Sequence, residues 1–84
     1  MIIKNPKKSL GQNFLTDKNI IDTIVRNGCI NEKDVVLEIG PGTGSLTERI
    51  LSLKPFKLFA IEKDKSLIMK LNEKFKDKIN LINE

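Results

Sequence analysis

The sequence contains no histidine and a single cysteine, Cys29. Without imidazole, His-based acid/base catalysis is excluded within these 84 residues, and one thiol cannot build a usual zinc site. One cysteine cannot make an internal disulfide either, which fits a reducing, cytoplasmic compartment. Cys29 directly follows Gly28 and reads as a packed thiol with no redox role. Long apolar runs are also lacking. Runs such as Val35 to Leu37 are far too short to cross a bilayer, so no membrane partner is expected. The start, MIIKNPKKSLGQN, has no apolar segment followed by a cleavage site, so no signal peptide is read there. Acid is missing from residues 1–16, which carry Lys4, Lys7 and Lys8.

What is present suits one small soluble domain. Apolar residues make up 39% and charged residues 31% of the chain, a globular balance. A chain this short buries only about 60–65% of its extended surface, so its core is marginal. The net charge is +4, with the unopposed positive charge at the start. Two readings of that start stay open: a solvated tail, or an arm for a polyanion such as RNA.

Residues 1–16 read as a basic arm, broken by Pro6 and Gly11. A helix starts near Thr16 or Asp17, either of which can cap it, and Ile20, Ile21, Ile24 and Val25 form its apolar stripe. Gly28 suits the positive φ of a C-terminal cap. Val35 to Ile39 is a short β-branched run, hence a buried strand. Leu46, Ile50, Leu51 and Leu53 then give a helical stripe that Lys54-Pro55 ends. Leu58 to Ile61 is a second strand. Asp64 or Ser66 caps a helix carrying Leu67, Ile68, Leu71 and Phe75, and Ile79 to Ile82 is a third strand. Strands alternating with helices imply α/β architecture with a parallel sheet, here half of a doubly wound fold. On this reading residues 17–84 are an incomplete domain and the chain is a fragment. Its first strand, lacking the neighbour that a complete sheet places beside it, is expected to leave an apolar edge open to self-association.

Gly40-Pro41-Gly42-Thr43-Gly44 stands between a strand and a helix. A ligand must approach such a backbone closely, where a Cβ would obstruct it, and the following helix offers free N–H groups. A tight turn with no ligand is the plainer alternative. The dinucleotide fingerprint is G-x-G-x-x-G, whereas here the third glycine comes one residue early and Ser45 takes its place. The G-x-G-x-G spacing resembles the first motif of class I methyltransferases, whose ligand, S-adenosylmethionine, has no pyrophosphate. An NAD-binding Rossmann protein is the competing reading. Glu62 ends the second strand 18 residues after Gly44 (62 − 44). A carboxylate there can accept two hydrogen bonds from a ribose diol. Glu38 lies near the end of the first strand, where loop N–H groups or the amino group of a ligand could satisfy it.

KKSLGQNFLTD, then VVLEIGPGTGSLT, then AIEKD resembles the ribosomal RNA adenine dimethyltransferase family from Lys7 to Glu84. The resemblance implies the N-terminal half of a Rossmann-like class I methyltransferase fold, with three parallel strands. It implies S-adenosylmethionine as cofactor, contacted by Asn13, Leu15, Gly40 and Glu62, with the arm folding over the pocket. It further implies N6-dimethylation of adenosines in small-subunit (16S) rRNA, in ribosome biogenesis. The erythromycin-resistance methylases of 23S rRNA and the mitochondrial transcription-factor relatives are similar. Pro41 and Gly11 lean toward the small-subunit enzyme. The family's Asn-Leu-Pro-Tyr type motif, which orients the adenine amine, does not occur in these 84 residues. No catalytic residue is therefore assigned, and the chain alone is expected to be inactive.

Overall fold

The computed structural model describes residues 2–5, 14–15, 22–23, 25–27 and 29–84. Among the described residues, five strands form one sheet: β1 (Ile2–Lys4), β2 (Phe14–Leu15), β3 (Val35–Ile39), β4 (Lys57–Glu62) and β5 (Asn80–Asn83). Their spatial order is β2-β1-β3-β4-β5. Helix α1 (Ser45–Ser52) joins β3 to β4, and α2 (Lys65–Phe75) with a 3-10 turn (Lys76–Lys78) joins β4 to β5. Residues 22–23 and 25–26 are also helical. The proposed helix start at Thr16 or Asp17, the Gly28 cap and Ile20, Ile21 and Ile24 lie outside the described residues.

The β3-β4-β5 pairings are parallel, as the alternation of strands and helices required. The register Val36↔Leu58 and Glu38↔Ala60 aligns the buried residues of both strands on one face. There they join Ile50 of α1 and Leu71 and Phe75 of α2 in the core. Ile2, Val25, Ile30 and Ile79 complete it. From β3 onward the sequence-read elements hold within one residue: β4 extends one residue beyond Leu58 and Ile61 at each end, and β5 runs one residue later than Ile79 to Ile82. Helix α1 stops where Lys54 takes a φ of 53° before Pro55. Asp64, not Ser66, caps α2, accepting hydrogen bonds from the N–H groups of Ser66 and Leu67. The Ser66 hydroxyl, which also donates to Asp64, together with those N–H groups holds the Asp64 carboxyl below its ordinary value.

The N-terminal segment corrects the sequence reading. Ile2–Lys4 is not a free arm; it pairs antiparallel with β3, in the register Ile3↔Leu37, and Phe14–Leu15 pairs outside it. The edge of β3 that was expected to be open is therefore filled by the chain's own residues. The physical reason is that an unpaired edge presents a row of N–H and C=O groups, and Ile2 and Ile3 supply an extended apolar partner. Ile2 is 1% exposed.

Asn5 fastens this strand. Its N–H donates to the Val35 carbonyl (2.6 Å), and its side-chain oxygen accepts from the Val35 N–H (2.8 Å). Its amide nitrogen donates to the Asp34 carboxylate (2.9 Å). Asp34 also accepts from the Asn31 N–H and lies 3.5 Å from the Lys4 ammonium, which itself donates to the Cys29 carbonyl. Lys4 is thus engaged in the fold rather than held out as a cation of the arm. Lys7 and Lys8 lie outside the described residues. Cys29 is exposed, not packed as expected, because only its backbone carbonyl is drawn into this cluster.

Candidate functional site

The chemistry-bearing residues gather at the C-terminal edge of the parallel strands, where ligands bind in open α/β sheets. Strand β3 delivers Gly40, and β4 delivers Glu62 beside it. The two limbs are tied: the Gly40 N–H donates to the Ile61 carbonyl (2.9 Å), and the Gly42 N–H donates to the Glu62 carboxylate (3.2 Å). The second Glu62 oxygen accepts from the Asp64 N–H (3.0 Å). Glu62 is 7% exposed, so it is a buried carboxylate held by backbone donors. Each oxygen retains lone-pair capacity beyond its one N–H.

The three glycines divide into two kinds. Gly40, Gly42 and Gly44 all have positive φ, at 70°, 60° and 89°. A Cβ built on Gly40 or Gly42 would meet nothing within 4 Å, so open space lies against this stretch of backbone. That is the shape a cofactor needs to lie against the chain, and the residues present fit a nucleoside ligand. At Gly44 a Cβ would come within 2.6 Å of the Phe75 ring and 3.1 Å of Leu71. The early third glycine is therefore a packing glycine, which lets α2 close against the loop. Gly44 also caps α1 with no side-chain hydrogen bond, leaving the helix start without a side-chain cap.

Glu38 is 2% exposed. Among the described residues its partner is not a loop N–H: the Thr47 hydroxyl, from the first turn of α1, donates to it at 2.5 Å. Burial pushes the Glu38 carboxyl above its ordinary value of 4.5, and the Thr47 bond offsets part of that push. The folded protein therefore holds the Glu38 proton more tightly than the unfolded chain does. Its contribution to stability is lost as pH rises from near 4.5 through the raised folded value. Glu38→Gln, which keeps an acceptor for Thr47, should be more stable than the parent at neutral pH, with the gap closing toward about pH 4. Urea midpoints across that range check it; a gap that does not change with pH would contradict it.

Of the residues singled out in the sequence, Gly40 and Glu62 meet at the strand ends. The backbone of Leu15 pairs with Ile2, which pairs on its other side with Glu38, so Leu15 lies in the sheet row just short of the glycine loop. Two strand spacings put it about 10 Å from β3. Asn13 lies outside the described residues. Thr47, Asn5 and Asp34 were missed. Thr47 had a readable signal, since it stands three residues before Ile50 and both are buried on one helix face. The Asn5–Asp34 pair, 29 residues apart, had none.

Parallel strands, a glycine loop and a strand-end carboxylate in this arrangement define the N-terminal half of a Rossmann-like class I methyltransferase fold. Comparison with solved structures agrees. A dimethyladenosine transferase from Plasmodium falciparum superposes with a TM-score of 0.67 at 29% identity, covering 84% of this chain and 27% of that one. The 23S rRNA methyltransferase ErmE superposes at 0.62 and 31% identity, covering 84% and 30%. The chain belongs to the ribosomal RNA adenine dimethylase family, whose model matches residues 3–84. It is 53% identical over 78 residues to the ribosomal RNA small subunit methyltransferase A of Pelagibacter ubique, covering 93% of this chain and 29% of that protein. It is 58% identical over 74 residues to the protein of the same name from Mycoplasmopsis synoviae, covering 88% and 28%. The chain thus spans less than a third of the length of these relatives.

Proposed function

We propose that these 84 residues form the cofactor-binding part of an S-adenosylmethionine-dependent rRNA adenine N6-dimethyltransferase. The substrate is small-subunit (16S) rRNA, and the setting is ribosome biogenesis in the cytoplasm. The observation that carries the reading is the approach of the buried Glu62 carboxylate to the Gly42 N–H beside open space at Gly40. Glu62 accepts the ribose diol, the backbone at Gly40 lies along the methionine portion, and Asn13 and Leu15 close over it. The bound cofactor supplies an electrophilic methyl group for the adenine amine. Among the described residues, no helix is long and apolar enough to cross a membrane.

The names of the small-subunit relatives support 16S rather than 23S rRNA as substrate, while the fold shared with a 23S enzyme makes that the second reading. Calorimetric titration with S-adenosylhomocysteine and with NAD tests the cofactor. The expected result is saturable binding of the first and none of the second. Glu62→Gln, which cannot accept at both oxygens, should weaken binding by about tenfold or more, as loss of a charge-assisted hydrogen bond implies. Binding of NAD alone, or unchanged affinity in Glu62→Gln, would overturn the assignment.

A further inference from the structure

The glycine loop poses a physical problem. Residues 40–44 contain three glycines at positive φ, and glycine has the most conformational freedom to lose. Within the loop the Gly44 N–H donates to the Pro41 carbonyl, and β4 supplies the two bonds to Gly40 and Gly42. The end of β3 and the start of α1 are themselves joined by the side-chain bond from Thr47 to Glu38. Thr47 is fully buried and Glu38 nearly so, and both lie under the loop rather than in it.

We propose that Thr47 is a positioning residue for the cofactor loop, acting through Glu38 as a staple across the loop's base. The proposal deepens the S-adenosylmethionine reading but does not depend on it for its test. A buried carboxylate accepts few partners, so the hydroxyl that satisfies it is held in one place. That fixes the first turn of α1, and with it the backbone N–H groups at the helix start, against the last residues of β3. The loop between then keeps one shape before any ligand arrives, so less ordering remains to be done on binding. Serine at position 47 preserves the staple; valine matches threonine in shape but removes it.

The test uses the 84-residue chain as Thr47→Val, Thr47→Ser and the double variant Glu38→Met/Thr47→Val. In the double variant both partners become apolar, which spares the fold an unpartnered buried carboxylate. Amide hydrogen exchange is read at Gly42 and Gly44 without ligand, and S-adenosylhomocysteine affinity is measured alongside. The expected result is exchange at these amides about tenfold faster in Thr47→Val and in the double variant, with the Leu58 and Ala60 amides of β4 unchanged. Affinity should fall by about tenfold in Thr47→Val and return to within about twofold in Thr47→Ser. If Thr47→Val does not fold, the double variant decides. Parent-like loop exchange in a folded variant lacking the hydroxyl would overturn the proposal, even if its melting temperature falls. Absence of S-adenosylhomocysteine binding by the parent chain would instead sink the cofactor reading, and the exchange data would still judge the staple.

Discussion

Gly44→Ala should destabilise the chain severely, by roughly 2–5 kcal/mol, whereas Gly40→Ala should lose only about 1–2 kcal/mol. Both glycines have positive φ, so both substitutions carry left-handed strain of about 1–2 kcal/mol. Only Gly44 adds a collision, because its new Cβ would sit 2.6 Å from the Phe75 ring in a filled core. Overpacking of that kind costs about 1–3 kcal/mol more. The sum, roughly 2–5 kcal/mol, is a large share of the stability of a domain this small. Urea unfolding of both variants decides it, since equal losses at the two positions would mean that the Phe75 contact does not constrain the loop. The same pair separates packing from binding. Gly40 faces open space, so Gly40→Ala should weaken cofactor binding out of proportion to its effect on stability.

The second large effect lies at the opposite end of β3. Asn5→Ala removes the donor to the buried Asp34 carboxylate and the acceptor for the Val35 N–H, at an expected loss of about 2–4 kcal/mol. Asn5 has a φ of 51°, so Asn5→Gly, which relieves the backbone but removes the same bonds, should lose slightly less. The effect has a pH signature. Burial acts to raise the Asp34 carboxyl, but the Asn5 amide, the Asn31 N–H and the Lys4 charge together hold it below its ordinary value of 3.8. Its stabilisation is therefore present above 3.8 and lost as pH falls through the lowered folded value. Removing Asn5 lets the folded value rise, so the variant should lose stability at a higher pH than the parent during acid titration. Acid unfolding that coincides in the two proteins would show that Asn5 does not support Asp34. Freed of its fastening, β1 should also leave β3, which limited proteolysis near Lys4 would report as faster cleavage.

Much of this protein was legible in its residues. Periodicity placed β3, β4 and β5 within a residue, because short β-branched runs between helical stripes leave little freedom for parallel strands. The glycine spacing and Glu62 marked a candidate site whose two parts the fold brings together, because a strand-end carboxylate and a loop without Cβ atoms are local features. The family followed from motifs that are contiguous in sequence. Other features depended on long-range pairing that no local pattern encodes. That Ile2–Lys4 would fill the sheet edge rather than wave free was decided by Asn5 meeting Asp34, 29 residues away. The VVLEIGPGTG segment identified a loop, but not the work of its parts. Only packing showed that Gly44 yields to Phe75 and that Glu38 is answered by Thr47 from below. Sequence alone determined the order of elements from β3 to β5 and marked a candidate site, since these follow from local chemistry. Tertiary structure decided which side chains hold that site in shape, since a buried polar group takes whatever partner the fold brings to it.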